Sequence, residues 1–300
     1  MADRYRGALV GLAAGDAVGT TVEFSPRGSF APLTDMVGGG PFGLQPGQWT
    51  DDTSMALCLA VSLVECRGFD AGDQMARYQD WSQHGYLSST GSCFDMGRTV
   101  AEALARFGRT GEPFSGSTAP NTAGNGSLMR LASIPIFYAP DLAQAEHFAA
   151  ESSRTTHGTA ECLDACRLFA RMLCRAFAGA SKDEVLLADA AAFSGAPKIT
   201  AIARGDYRGK PASAIRGSGY VVASLEAALW CFHQTASFEA AILLAANLGD
   251  DADTTAAVCG QIAGAFYGEA GIPPGWLAKL AQLDTLRRTA DQLRQGRTGG

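Results

Sequence analysis

Residues 7–19 read GALVGLAAGDAVG, with a glycine at every fourth position. Positions four apart lie on one face of an α-helix, so one face of this segment carries no side chains. Glycine costs up to about 1 kcal/mol per helical position relative to alanine, and such a stripe therefore needs a structural reason. In a membrane the stripe would indicate helix dimerisation; here we interpret it as tight packing in the core.

A second stripe, with the same spacing, occurs at Gly260, Gly264 and Gly268. It lies just after an acidic segment, residues 249–255, which reads GDDADTT. If the two striped helices pack together, that acidic segment lies near Asp16, within the first stripe, and near Glu23, just beyond it. The sequence therefore predicts that distant segments assemble one polar site.

Two acidic clusters share one pattern, WTDDT at residues 49–53 and DDADTT at residues 250–255. Each precedes an alanine-rich helical segment, so each can be a helix N-cap. Capping needs only one side chain, whereas crowded carboxylates repel one another unless a cation lies among them. Oxygen ligands suit Mg²⁺, Mn²⁺ or Ca²⁺ better than Zn²⁺. Candidate ligands for two cations are Thr50, Asp51, Asp52, Asp251, Asp253 and Thr254.

Composition excludes several classes of protein. The chain has 300 residues, of which 47% are hydrophobic and 18% charged, so it can bury a sizeable core. The net charge of -6 and the lack of a basic run argue against nucleic-acid binding through a basic face. No apolar run is long enough to span a bilayer, and we interpret the apolar N-terminal segment as an internal helix rather than a signal peptide.

The eight cysteines contain no Cys-x-x-Cys pair, and most lie in predicted helices. Buried thiols in a reducing compartment explain them better than a disulfide framework does. We therefore expect a cytoplasmic protein, and a monomer is the default expectation.

Helical periodicity dominates, and no segment shows the sustained alternation of a strand. We expect an all-α fold, a single compact domain over residues 1–300, with long loops at residues 25–48, 108–124 and 193–217. The predicted helices cover about residues 5–18, 51–66, 72–83, 96–107, 125–137, 141–152, 158–178, 182–192, 218–233, 237–247, 253–268 and 275–293.

Several further motifs have two interpretations each. Glu23 is either solvated or a candidate for metal ligation or general acid/base catalysis. The segments GSCFDMG at residues 91–97 and NTAGNGSLMR at residues 121–130 are either capped turns or anion sites. His157 is more often a structural group than a catalyst, and Tyr220 either belongs to the core or stacks on a base.

Together these motifs resemble the ADP-ribosylglycohydrolase family, and particularly its bacterial branch that includes dinitrogenase reductase-activating glycohydrolase. They follow the family order and span about residues 7–268. The matching segments are residues 11–19, 23–24, 49–53, 93–97, 124–130, 156–158 and 249–255.

The resemblance implies an all-helical hydrolase with two Mg²⁺ or Mn²⁺ ions bound by the six candidate ligands. It implies cleavage of the N-glycosidic bond of ADP-ribosylarginine in a modified protein, with Glu23 and Asp95 as the catalytic residues. Hydrolysis of serine-linked, other O-linked or free ADP-ribose derivatives is the alternative, and a non-catalytic ADP-ribose-binding relative is a further one. The implied substrate-binding residues are Ser92, Cys93, Phe94, Gly124, Asn125, Gly126, Ser127, Met129, His157 and Tyr220.

Overall fold

Fourteen α-helices and no β-strand are formed by the residues that the computed structural model describes, which are 2–188 and 190–296. The predicted all-α class is confirmed. The predicted domain boundaries also include residues 1, 189 and 297–300, which lie outside the described residues. The helices are α1 Ala2–Gly19, α2 Asp51–Glu65, α3 Ala71–His84, α4 Arg98–Thr110, α5 Ser133–Tyr138, α6 Leu142–Arg154, α7 Ala160–Phe177, α8 Lys182–Leu187, α9 Pro197–Ala203, α10 Val221–Gln234, α11 Phe238–Ala246, α12 Ala252–Tyr267, α13 Pro274–Lys279 and α14 Leu283–Gln295.

The centre of the fold is an antiparallel pair formed by α1 and α12. Every residue of α1 from Gly7 to Gly19 is buried. A Cβ atom on any glycine of the α1 stripe would overlap a backbone carbonyl of α12, which confirms the interpretation of tight core packing. The facing carbonyl groups belong to Gly264, Gly260, Ala256 and Ala252, in that order along α1.

This pairing brings the beginnings of two helices together. Gly19, at the end of α1, lies against Ala252, the first residue of α12. Helix α2 begins at Asp51, and its first turn is hydrogen bonded to Asp16 of α1. The first turns of α2 and α12, which carry the two acidic clusters, therefore meet beside the end of α1.

The predicted helix boundaries were wrong in four places. Residues 125–132 form turns stabilised mainly by short-range bonds such as Leu131 N–H to the Leu128 carbonyl, and α5 begins only at Ser133. Helix α9 lies within the predicted loop 193–217. The predicted helix 182–192 ends at Leu187, and its residue 189 is outside the described residues. The predicted C-terminal helix is divided at Gln282, which has a φ of 51°.

Two further observations concern the cysteines and membranes. All eight cysteines are free thiols, but Cys66 is exposed and Cys93 and Cys174 are half-buried, so the expectation of buried thiols was wrong for these three. Among the described residues, no helix combines the length and the apolar character needed to cross a membrane.

Candidate metal centre and active-site cleft

Asp16 connects the central helix pair to the first acidic cluster. Its side chain is fully buried, and its two carboxylate oxygens each accept two hydrogen bonds from the start of α2. One oxygen accepts from the Thr50 amide at 2.8 Å and hydroxyl at 2.9 Å. The other accepts from the Thr53 amide at 3.1 Å and hydroxyl at 2.6 Å. Asp16 therefore caps α2 from a different helix and fixes where its first turn lies.

Carboxylates from three distant segments converge beside that cap. Oxygen atoms of Asp51, Asp52 and Asp253 all lie within 4.8 Å of one another, and so do those of Glu23, Asp95 and Asp253. Asp253 belongs to both groups and is buried, as are Asp51 and Asp52. The prediction that the two acidic clusters form one site agrees with this geometry.

Some of these oxygens have no hydrogen-bond partner. Thr254 donates to one oxygen of Asp52 at 3.3 Å, but the other oxygen is buried without a partner. Oδ1 of Asp253 is likewise buried and unpartnered. A buried carboxylate oxygen that lacks a donor is costly, and a hard divalent cation among oxygen ligands removes that cost. The residues present therefore fit a divalent metal site.

Burial and mutual repulsion change the acidity of this cluster. Burial, followed by the charges of neighbouring carboxylates, raises the pKa of Asp51, Asp52 and Asp253 well above its usual range. Burial also raises the pKa of Glu23 to about 9 and that of Asp95 to about 7. Without a compensating positive charge, these groups therefore tend to keep their protons.

Asp251 connects the metal centre to the Asn-Gly turn. Its carboxylate accepts a hydrogen bond from the Asn125 side-chain amide at 2.6 Å, and its own N–H donates to the Gly217 carbonyl at 3.1 Å. Asn125 also donates to Ser224 of α10 at 3.2 Å. These bonds hold the turn at residues 124–126 beside the start of α12.

A cleft of about 600 Å³ opens above the carboxylates. It contains eleven of the predicted site residues, while Thr50 and Asp52 are buried beneath it. The predicted residues that line the cleft are Glu23, Asp51, Asp95, Gly124, Asn125, Gly126, Met129, His157, Asp251, Asp253 and Thr254.

The cleft continues into two smaller cavities of about 300 and 540 Å³, both lined by Tyr220. Gly124 and Gly219 line the main cleft and the first of these cavities. The Tyr220 hydroxyl donates to Glu161 at 2.5 Å and accepts from Lys198 at 2.7 Å. Tyr220, a predicted substrate-binding residue, therefore lines the two smaller cavities rather than the main cleft.

Four predicted substrate-binding residues do not line the cleft. Ser127 is buried, and its hydroxyl accepts a hydrogen bond from Ser153 at 2.8 Å, so this side chain stabilises the fold. Ser92 and Cys93 lie on the neighbouring loop. Phe94 reaches the cleft only indirectly, because its ring packs 5.1 Å from that of Phe42.

Other cleft residues were not predicted from the sequence. Phe24 follows Glu23 directly, and its position next to a predicted site residue was the sequence signal that could have placed it in the cleft. Phe42 belongs to the irregular segment 25–48 and had no local signal. Arg98 and Thr99, at the start of α4, also line the cleft.

The orientation of His157 is fixed through Thr156 by Arg130, whose side chain is fully buried. Arg130 donates to the Thr156 hydroxyl oxygen at 2.8 Å, and that oxygen lies 2.8 Å from Nδ1 of His157. A guanidinium only donates, so the Thr156 hydroxyl is free to donate its proton to Nδ1. The imidazole then carries its own proton on Nε2, the nitrogen that lies against Gly124 and Gly126. His157 thus offers an N–H group to the cleft.

We expect His157 to stay neutral in the folded protein at pH 5. Burial, followed by the charge of Arg130, lowers its pKa to about 3, whereas an unfolded histidine has a pKa of about 6.5. The unfolded chain therefore takes up a proton that the folded chain does not, and this residue destabilises the fold as the pH falls from about 6.5 towards 3. Two-dimensional ¹⁵N NMR checks this, with the urea-unfolded protein as reference. A folded-state titration above pH 5, or a proton on Nδ1, would contradict the assignment.

Comparison with known proteins agrees with this architecture. A family model described as ADP-ribosylglycohydrolase matches residues 1–300, and the chain belongs to that family. A solved structure titled ADP-ribosylglycohydrolase-related protein complex is similar, with a TM-score of 0.86, 41% identity and 98% of each chain covered. The resemblance inferred from the motifs is confirmed.

Curated relatives carry more specific names. ADP-ribosylarginine hydrolase Tri1 of Pseudomonas putida (strain GB-1) is 46% identical over 97% of this chain and 78% of its own length. ADP-ribosylarginine hydrolase Tri1 of Serratia proteamaculans (strain 568) is 44% identical over 97% of this chain and 79% of its own. ADP-ribosyl-[dinitrogen reductase] glycohydrolase of Rhodospirillum rubrum is 33% identical over 97% and 95%.

Proposed function

We propose that this protein is an ADP-ribosylarginine hydrolase, which cleaves the N-glycosidic bond between ADP-ribose and an arginine side chain of a modified protein. The observation that carries the proposal is the convergence of Asp51, Asp52 and Asp253, from segments about two hundred residues apart, at one cleft that Asp51 and Asp253 line. The names of the two relatives above 40% identity support arginine as the modified residue.

The proposed cofactors are two divalent cations, Mg²⁺ or Mn²⁺. The unpartnered oxygens of Asp52 and Asp253 and the crowding of the carboxylates support them. When bound, the cations supply positive charge that orients the ribose hydroxyls and offsets the buried negative charge. The proposed ligands are Thr50, Asp51, Asp52, Asp251, Asp253 and Thr254.

Glu23 and Asp95 lie at the same end of the cleft and are the proposed catalytic pair. In hydrolysis the bond between the ribose carbon and the guanidine nitrogen breaks, and positive charge develops on the ribose, which nearby carboxylates stabilise. The leaving nitrogen takes a proton from this carboxyl pair. Water adds to the ribose carbon and returns a proton to the pair, so the two carboxyls end as they began.

The rest of the groove suits the remainder of ADP-ribose. The turn at residues 124–126 and His157 line the cleft, and we propose that the Gly126 N–H and the His157 Nε2–H bind a diphosphate or ribose there. The N–H groups of Gly124 and Asn125 instead donate to the Thr122 and Gly219 carbonyls. Tyr220, beyond them, presents an aromatic ring for adenine. We propose contacts with substrate for Gly124, Asn125, Gly126, Met129, His157 and Tyr220. Contacts with Ser92, Cys93 and Phe94 stay predictions.

The proposed partner is an ADP-ribosylated protein. The net charge of -6 supports the proposal that nucleic acid is not a partner, and no membrane partner is proposed. Free thiols support a cytoplasmic location, and we propose a monomer with one domain over residues 1–300.

A panel of substrates tests the function. The purified protein is incubated with arginine-linked, serine-linked and free ADP-ribose derivatives, each with Mg²⁺, with Mn²⁺ and with EDTA, and the products are identified by mass spectrometry. We expect release of ADP-ribose from arginine with either metal and none with EDTA. Release only from serine or from free derivatives would replace the proposal with the alternative hydrolase. Binding without release would indicate a non-catalytic relative.

A further inference from the structure

Phe24 is an exposed aromatic residue in the wall of an acidic cleft. Its exposed fraction is 64%, and it lines the cleft together with Glu23 and Asp95. Within the described residues, the other large apolar side chain with such exposure is Val37, at 52%, which is not part of the cleft wall. Burial of a phenylalanine is strongly favoured, so an exposed ring beside catalytic carboxylates calls for a partner that approaches from solvent.

The backbone holds Phe24 in this exposed position. Its φ is 62°, a left-handed conformation that is unusual for a bulky residue. Its N–H donates to the Asp250 carbonyl at 2.7 Å, and the Asp250 N–H donates to the Ser25 carbonyl at 2.8 Å. Strain of this kind persists where the surrounding structure enforces it, and functional sites are common places for it.

A second aromatic ring limits the motion of the Phe24 side chain. The ring centroids of Phe24 and Phe42 are 6.3 Å apart, with an interplanar angle of 76°, which is an edge-to-face contact. Phe42 also packs on Phe94. Two aromatic side chains, Phe24 and Phe42, therefore form one rim of the cleft, which we call the aromatic rim.

The position of the hydrogen-bond donors in the cleft indicates which part of the substrate meets this rim. The cleft has an acidic end, with Glu23 and Asp95, and continues past the turn at residues 124–126 towards Tyr220. The Gly126 N–H and the His157 Nε2–H line the cleft at the turn, so an anionic diphosphate is better placed there than beside the carboxyl groups. The group attached to the ribose on the other side is then directed to the acidic end and the rim. In ADP-ribosylarginine that group is a guanidinium cation.

We infer that Phe24 determines specificity for arginine by binding the guanidinium group of the substrate against its ring, with Phe42 supporting it. This inference rests on the proposed function and deepens it. A guanidinium is planar and weakly hydrated, stacks on aromatic faces and is attracted by their negative π-surface. The carboxyl oxygens of Glu23 and Asp95, which line the same end of the cleft, can accept hydrogen bonds from the same cation. A serine-linked ADP-ribose carries no cation there and gains nothing from the ring.

Two substitutions at Phe24 and one control test the inference. Phe24→Leu keeps an apolar side chain but removes the π-system, whereas Phe24→Tyr keeps it. We expect kcat/KM for an ADP-ribosylarginine peptide to fall about tenfold in Phe24→Leu and to recover in Phe24→Tyr. The affinity for free ADP-ribose, measured by calorimetry, should stay within about twofold of wild type. Val37→Ala, the matched exposed residue outside the cleft, should change neither quantity.

Failure of the proposed function and failure of the inference about Phe24 give different results. If the wild-type protein does not hydrolyse ADP-ribosylarginine, the proposed function fails before the variants are compared. If it does, and Phe24→Leu keeps wild-type kcat/KM, the inference is overturned and the function stands. An equal loss in Phe24→Leu of turnover and of ADP-ribose affinity also overturns it, because the ring then supports the cleft as a whole rather than the cation.

Discussion

Asp253→Asn is expected to lose turnover of ADP-ribosylarginine by more than about a hundredfold, while the metal-free protein becomes more stable. Even side chains that only support metal ligands cost about 10- to 100-fold when they are removed, and Asp253 contributes to both carboxylate groups. Burial and the neighbouring carboxylates raise its pKa because the charged form is disfavoured there. Asparagine has nearly the same shape and no charge, so without a cation the variant folds at neutral pH without taking up the proton that buried Asp253 requires.

The measurement is a pair of melting curves for each protein, without metal and with MnCl₂, together with the rate of ADP-ribose release. Wild type should be stabilised by manganese, because a ligand that binds the folded state stabilises it. Asp253→Asn should show a higher melting temperature without metal and little response to manganese. Asp250→Asn is the matched control, since Asp250 lies in the same acidic segment but outside both carboxylate groups. Manganese-dependent turnover in Asp253→Asn would refute the metal centre.

The acidic centre was predictable because its signal is local in each segment. Both segments carry two or more aspartates beside threonine at a helix start, as Asp-Asp or Asp-x-Asp. Helix capping requires only one such side chain. The role of Asp16 was not predictable in the same way. Its four hydrogen bonds to the start of α2 exist only once α1 and α2 are packed, and nothing in its own segment distinguishes it from a helical aspartate.

The residues of the cleft wall, like Asp16, could not all be predicted from local sequence. Phe42 lies in a segment without periodicity, and it reaches the cleft through the path of the loop rather than through a pattern. Ser127 was predicted to bind substrate because it follows the Asn-Gly turn, but its hydroxyl is directed inward to Ser153. A motif indicates that a turn is present; it does not indicate which side chain of the turn faces the ligand.

The predicted helix boundaries were wrong where the burial of side chains does not follow helical periodicity. Residues 125–132, which read NGSLMRLA, are all buried, and burial at every position is compatible with both a helix and a compact series of turns. Helix α9 is short and begins with Pro197 at its first position, which in the sequence reads as part of a loop. The prediction from the α1 glycine stripe was correct because glycine at every fourth position is costly unless another backbone packs there.

Gly260→Ala is expected to destabilise the fold by about 3 kcal/mol or more, and some preparations should fail to accumulate folded protein. A Cβ atom at this position would overlap the carbonyl oxygen of Gly11 on the facing helix, and a backbone cannot move aside as a flexible side chain can. Alanine gains at most about 1 kcal/mol of helix propensity, which is too little to offset that overlap.

Gly275→Ala provides the matched control, because Gly275 is also helical but has no neighbouring atom within 4 Å of the added Cβ. There the propensity gain acts alone, and we expect a change between zero and about 1 kcal/mol of added stability. Urea unfolding of the two variants and wild type measures the difference. If both alanines behave alike, the α1 and α12 backbones are not in contact. The start of α12, and with it Asp253, would then need another reason to lie beside α2.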